Sequence, residues 1–384
     1  MGIDTRFPAI NVESSRGSFV YDKRGRRYID FSTNWCAILG WGLPVVEKAI
    51  KQFRGPNYVD PYYHYQPWEE LSKLLISIAP GQMTSAFKAT SGTEAVEIAL
   101  QAAMNYTKRY EFISDGGYHG HSFAAMSVGF PHYRERFPNL IPSLIVDPPY
   151  NKARATKIVK FLSTHRIAAF ITEPIIFNRG VLEPTQEYFN IIQKSCQKYG
   201  TVFIVDEVAT GFGRTGKMFA SEYYDLKPDV ICLGKGLTGG NAVLGACLMN
   251  RKLTESMQYE FSYYSTFAWQ PLNVQITLAY LNYFLQNSTS ILKKVNSLSC
   301  FIRRKLGDLE STYGVKVRMK GLAIALHLEN GNAERIRNIC IKKHLLIDCL
   351  NPHTLTLFPS ISMKISTLDY GLNILISSVR GSSL

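Results

Sequence analysis

Between residues 168 and 234, three short apolar runs each stop at a polar residue or a glycine, and this rhythm limits the folds open to the chain. Ala168-Ala169-Phe170-Ile171-Thr172 leads into Glu173-Pro174, Val202-Phe203-Ile204-Val205 ends on Asp206, and Val230-Ile231-Cys232-Leu233 stops just short of Lys235. Between the first two runs, Glu187–Tyr199 has helical spacing and ends at Gly200, a residue suited to a helix C-cap. Short buried strands alternating with helices predict an α/β chain with a largely parallel sheet covered by helices.

The flanks read differently. Residues 17–31 alternate apolar and polar positions on both sides of a turn at Gly25, which predicts a β-hairpin. From about residue 290 onward, a long helix, short strands and a final helix suggest a smaller unit. The expected division is therefore a large domain over 51–289 and a small α+β domain over 290–384, which the N-terminal residues 1–50 join.

Composition narrows the function classes. Apolar residues are 46% and charged residues 19% of the 384-residue chain, an ordinary globular balance. The formal net charge of +13 is spread over brief runs such as Lys23-Arg24-Gly25-Arg26-Arg27, not a dense basic patch, so no nucleic-acid partner is expected. Anionic cofactors and substrates suit that charge better. Seven scattered cysteines with no Cys-x-x-Cys pair fit a reduced, cytoplasmic setting. The opening Met1-Gly2-Ile3-Asp4 lacks the apolar core of a signal peptide, and no apolar run is long enough to span a membrane.

Three segments carry candidate chemistry. Thr90-Ser91-Gly92-Thr93-Glu94 precedes a helix with apolar positions at Val96, Ala99, Leu100 and Ala103. The unpaired N–H groups at such a helix start suit a phosphate, although a plain N-cap would look the same. Asp206 closes a buried strand and is followed by a Gly-rich loop ending Gly211-Phe212-Gly213-Arg214-Thr215-Gly216. Ligands of open α/β sheets bind beyond such strand ends, where a carboxylate can hold a protonated ring nitrogen; pairing with Arg214 is the structural alternative. Lys235, 29 residues on, sits between Gly234 and Gly236 at the next strand end. A desolvated lysine there loses its proton more readily and becomes a nucleophile.

With these residues in view, the chain resembles the class III (ω-amino acid type) aminotransferases of pyridoxal-phosphate fold type I, over nearly its whole length. The resemblance implies a seven-stranded-type sheet and pyridoxal 5'-phosphate bound to Lys235 as a Schiff base. It implies that Asp206 faces the pyridine nitrogen, that Val208 and Tyr118 flank the ring, and that Ser91, Gly92 and Thr93 hold the phosphate. Thr266, in Ser265-Thr266-Phe267, resembles the threonine that reaches the neighbouring subunit's cofactor, implying a homodimer with composite sites. Trp35 and Tyr118 are the implied substrate contacts. Gly117-Tyr118-His119-Gly120, Asp206–Gly216 with Ala209, and Leu233–Gly240 are most similar to the branch that aminates 7-keto-8-aminopelargonate in biotin synthesis.

The implied chemistry is ping-pong transfer from an amine donor to a carbonyl acceptor. An aminomutase or racemase on the same fold, another ω-amine or amino-acid aminotransferase, and a non-catalytic binding protein are the alternatives. Two departures concern the substrate. Residues 348–360 contain no arginine where the family commonly supplies a carboxylate anchor, so either another arginine takes over, with Arg134, Arg136, Arg179 and Arg318 the candidates, or the substrate carries no carboxylate at that end. Asn34-Trp35 also stands where the biotin branch has two tryptophans. His119 and His121, two apart, are read as opposite faces of a strand with no third ligand, so no metal is expected. Cys36 is read as packing.

Overall fold

The computed structural model describes residues 10–129, 141–260 and 263–381. Its centre is the strand Val202–Asp206, buried at all five positions as the unbroken apolar run requires. Among the described residues it lies mid-way in a seven-stranded sheet. The spatial order is Met83–Ala89, Gly245–Asn250, Val230–Leu233, Val202–Asp206, Ile167–Thr172, Glu111–Ser114 and Ser143–Ile145. The last five pair in parallel, while Gly245–Asn250 is antiparallel to both its neighbours. The expected fold, a mainly parallel sheet with helices, is observed. The antiparallel member follows from its connection. A single 3-10 turn, Lys235–Leu237, and two glycines with positive φ, Gly239 and Gly240, reverse the chain after Leu233. Parallel pairing would need a longer crossover.

The helix Gly92–Thr107 packs across this sheet. Ala95, Val96, Ile98, Ala99, Leu100, Ala102 and Ala103 are all fully buried. The alanines let the helix axis approach the strands closely. Each of Val96, Ile98 and Leu100 contributes about 1.5–3 kcal/mol by leaving water. Ser91 caps the helix by accepting from the Glu94 N–H at 3.2 Å, so the N-cap alternative holds for its side chain. Lys108 ends the helix in the left-handed region, at φ 52°. Among the described residues no helix is long and apolar enough to cross a membrane.

The expected hairpin forms from Phe19–Asp22 and Arg27–Asp30. A further strand, Val12–Arg16, extends it; all five of its residues are exposed, so no apolar alternation announced it. Leu345–Leu346 pairs in parallel with Arg27–Asp30, tying the chain's two ends together. A second small sheet holds Lys316–Lys320, Ala323–His327, Thr354–Leu357 and Asp348–Asn351 in that order. The long helix Ser288–Tyr313 and the helix Ala333–Lys342 pack on it, and the last helix Ile365–Arg380 packs on those two helices. These pairings support, as a proposal, grouping 1–50 with 290–384 as the small domain beside 51–289. One apolar cluster runs through both, from Phe31 and Leu71 to Leu248 and Leu326, so they pack as one body.

Candidate active site

Strand direction decides where the chemistry gathers. The parallel strands ending at Ser114, Thr172, Asp206 and Leu233 deliver Tyr118 and His119, Glu173, Asp206 and Lys235 to one edge of the sheet. Met83–Ala89 delivers Thr90–Thr93 to the same edge. There a cavity of about 330 Å³ is lined by Ser91, Gly92, Thr93, Tyr118, His119, Asp206, Val208 and Lys235, with Cys36, Thr238 and others. Seven of the eight residues nominated from the sequence for the cofactor thus share one cavity. Thr266 does not line it and is exposed.

Asp206 is 2% exposed. Its Oδ1 accepts from the Val208 N–H at 2.9 Å, and its Oδ2 lies 2.8 Å from His119 Nδ1. Burial opposes a charged His119 ring, but the hydrogen bond and charge of Asp206, with Asp115 and Glu173, prevail and raise its proton affinity. The carboxylate is thereby oriented by His119 and the Val208 N–H, without Arg214. That arginine is turned elsewhere, donating to the Pro359 carbonyl at 2.8 Å and to Thr33 Oγ1 at 3.1 Å. The strand reading of His119 and His121 is corrected: residues 115–120 form a loop, and His121 instead shares a 2.9 Å hydrogen bond with the Tyr118 hydroxyl. His119 is a site residue that spacing could not reveal, because its partner lies 87 positions away.

Glu173 holds the loop from the other side. Its Oε1 accepts from the Tyr118 N–H at 2.8 Å, and burial with the nearby Asp206 charge pushes its carboxyl up to about 8. Lys235 adopts φ 42°, a strained conformation for a residue with a side chain, of the sort that clusters at functional sites. Its Nζ lies 5.6 Å from the Tyr118 ring centroid and 5.4 Å from that of Trp35. Burial is the main reason that its amine binds a proton less tightly than usual; Glu173, Asp206 and Cys36 pull the other way. Trp35, also at positive φ (64°), stacks on Phe358 with centroids 4.3 Å apart. Cys36 lines the cavity beside it, and burial raises its thiol pKa, which does not favour a nucleophile.

The arginines nominated as carboxylate anchors fare unevenly. Arg179 Nε donates to the Gly116 carbonyl at 3.1 Å and Nη1 to Asp147 at 3.2 Å, so it braces the loop before Tyr118. Arg318 lies on the small sheet, close to Gly180. Arg134 and Arg136 lie outside the described residues.

The cavity can hold a flat, phosphorylated heteroaromatic aldehyde. At one end the first-turn N–H groups of Gly92 and Thr93, which a helix cannot satisfy internally, suit a phosphate. Asp206 suits a ring N–H and Lys235 suits the aldehyde. Gly92 also keeps the slot open, because a Cβ there would stand 2.6 Å from Val208 Cγ1. Among the described residues no group of three metal-ligating side chains occurs.

Comparison with known proteins agrees with this chemistry. The family model for aminotransferase class-III matches residues 3–379. The acetylornithine aminotransferase of Methanopyrus kandleri is 31% identical over 88% of this chain and 85% of its own. The adenosylmethionine-8-amino-7-oxononanoate aminotransferase of Staphylococcus aureus is 30% identical over 95% of this chain and 90% of its own. A Bacillus anthracis aminotransferase structure superposes with a TM-score of 0.90 at 28% identity, covering 97% of this chain and 94% of the other.

Proposed function

The chain belongs to the class III aminotransferases, enzymes of pyridoxal 5'-phosphate, and on that premise we propose that Lys235 is its covalent anchor and proton carrier. The observation that carries the reading is the meeting, in one cavity, of a desolvated Lys235 amine, the buried Asp206–His119 pair and an open helix N-terminus. When bound, pyridoxal phosphate supplies an aldehyde that captures amines and a ring that withdraws electrons.

The remaining work falls to the chain. Asp206, aimed by His119 and the Val208 N–H, would hold a proton on the ring nitrogen. Tyr118 and Val208 would confine the ring between them. Lys235 Nζ, free once an amine substrate takes its place, would act first as the base and then as the acid of a 1,3-proton shift. The lowered proton affinity of that amine suits a base working near neutral pH. The first-turn N–H groups at Gly92 and Thr93 would fix the phosphate while the lysine moves.

The proposed enzyme is a homodimer. Thr266 is exposed, and its sequence neighbours Tyr264 and Phe267 are 56% and 65% exposed; both meet Tyr58, whose own segment carries Tyr62 and Tyr63, 96% and 70% exposed, an apolar surface that a second copy would cover. Thr266 would then serve the neighbouring subunit's phosphate.

For the substrate, the proposed acceptor is 7-keto-8-aminopelargonate, supported by the sequence from Tyr118 to Gly240 and by the Staphylococcus relative. The Methanopyrus relative supports a second reading, amino transfer from acetylornithine. The expected result is that this ketone, added to the pyridoxamine form, restores the pyridoxal spectrum within one turnover. No return at saturating ketone, with rapid return from another carbonyl, would remove the biotin-pathway reading and leave the class intact. An aminomutase or racemase would need no second substrate, so a requirement for separate donor and acceptor also excludes those chemistries.

A further inference from the structure

Two aromatic rings bound the space around the Lys235 amine, whose Nζ lies 5.6 Å from the centroid of Tyr118 and 5.4 Å from that of Trp35. Both walls lead back to one buried carboxyl, that of Glu173, which is 2% exposed. Its Oε1 accepts from the Tyr118 N–H at 2.8 Å, and its Oε2 accepts from the Phe177 N–H at 3.3 Å. The Phe177 ring stands against Trp35 with centroids 6.2 Å apart and against Phe358 at 5.8 Å, and Phe358 stacks on Trp35. The Trp35 indole N–H also donates to Asp348 Oδ2 at 3.2 Å. Gly117 permits the close approach on the Tyr118 side, because a Cβ there would stand 2.5 Å from Glu173 Oε1. Burying a carboxyl is costly, and burial with the Asp206 charge pushes this one up to about 8. What it offers in return is symmetry. Charged or neutral, it keeps an acceptor lone pair on both oxygens, so one group can take an N–H from each side.

We propose that Glu173 is a positioning residue for amino transfer: through Tyr118 on one oxygen and Phe177 on the other, it fixes the spacing of the two aromatic walls and with it the thickness of amine admitted between them. An amine that takes the place of Lys235 must bring its nitrogen into the space around Nζ, so its nearest carbons meet both rings. A fixed spacing admits a flat substituent there and resists a thick one, because close-packed walls yield little. The inference rests on the aminotransferase reading and deepens it by naming the shape of amine that the site takes.

The test uses the holoenzyme and two primary amines of equal carbon count, flat benzylamine and thicker cyclohexylmethylamine. Single turnovers to the pyridoxamine form give the ratio of their rates. Their unreactive alcohols, benzyl alcohol and cyclohexylmethanol, give the ratio of affinities without turnover, titrated by the visible circular dichroism of the bound cofactor. In Glu173→Gln one end of the side chain becomes an NH2 donor. Whichever way that amide turns, one backbone N–H loses its acceptor and one wall its anchor. A rigid pocket discriminates a small misfit of shape by on the order of tenfold, so both flat-to-thick ratios should fall by about that factor in the variant. Phe177→Leu keeps the carboxyl but thins the support behind Trp35, and it should lower the ratios in the same direction. A merely structural role would weaken both probes together. An unchanged affinity ratio in Glu173→Gln, or in Phe177→Leu should the first variant not hold cofactor, would overturn the proposal. Failure of every amine to convert the wild-type cofactor would instead remove the aminotransferase reading, and this inference with it.

Discussion

Substituting Asp206 by asparagine is expected to leave cofactor bound while slowing amino transfer by on the order of 10²–10³, the usual cost of removing an electrostatic partner from a buried site. Asparagine has nearly the same shape and can still accept from the Val208 N–H. It carries no charge, however, so nothing would keep a proton on the ring nitrogen. The effect extends to His119, whose raised proton affinity depends on the Asp206 hydrogen bond and charge. Without the carboxylate only Asp115 and Glu173 would oppose the effect of burial, and the ring should lose its proton more readily. Single-turnover amination measures this loss separately from binding. Near-normal speed in the variant would mean that Asp206 does not serve the ring nitrogen.

A Lys235→Ala subunit and a Thr266→Ala subunit, each crippled as a homodimer, are expected to recover activity when mixed. If Thr266 serves the neighbouring site, a heterodimer gathers both substitutions into one site and leaves the other intact. Random reassociation of equal amounts should then restore about a quarter of the wild-type sites, the statistical share in a twofold-symmetric pair. The exposure of Thr266 and its separation from this chain's own cavity motivate the experiment. Activity that stays at the mean of the two parents would place Thr266 outside the partner's site.

What the sequence reveals here and what it hides have physical causes. Asp206 and Lys235 stood out because each ends a run of four buried apolar residues, and parallel strands release their ends at one edge. Gly92 and Thr93 were visible because a helix start is a local pattern. The hidden residues act at long range. His119 meets Asp206 across 87 positions, and Asp348 meets Trp35 across 313. No periodicity records such a contact. The misread histidine segment shows the converse limit: a spacing of two suggests a strand, but the loop after Glu111–Ser114 is held by Glu173 and Asp115, not by a sheet ladder. The exposed strand Val12–Arg16 carried no alternation to be seen. Arg214 likewise seemed a partner for Asp206 by proximity in sequence, yet it ties the Gly-rich loop to Thr33 and Pro359 from opposite ends of the chain.

The central claim is that this cavity binds pyridoxal phosphate through Lys235, and one chemical experiment reaches it directly. Borohydride reduction of the holoenzyme fixes the cofactor to whichever amine holds it, and peptide mapping identifies that residue. The account predicts a single pyridoxyl-modified peptide containing Leu233-Gly234-Lys235-Gly236, with the modification on Lys235. A modification on any other lysine, or none on a protein that carries the cofactor's visible absorbance, would contradict it.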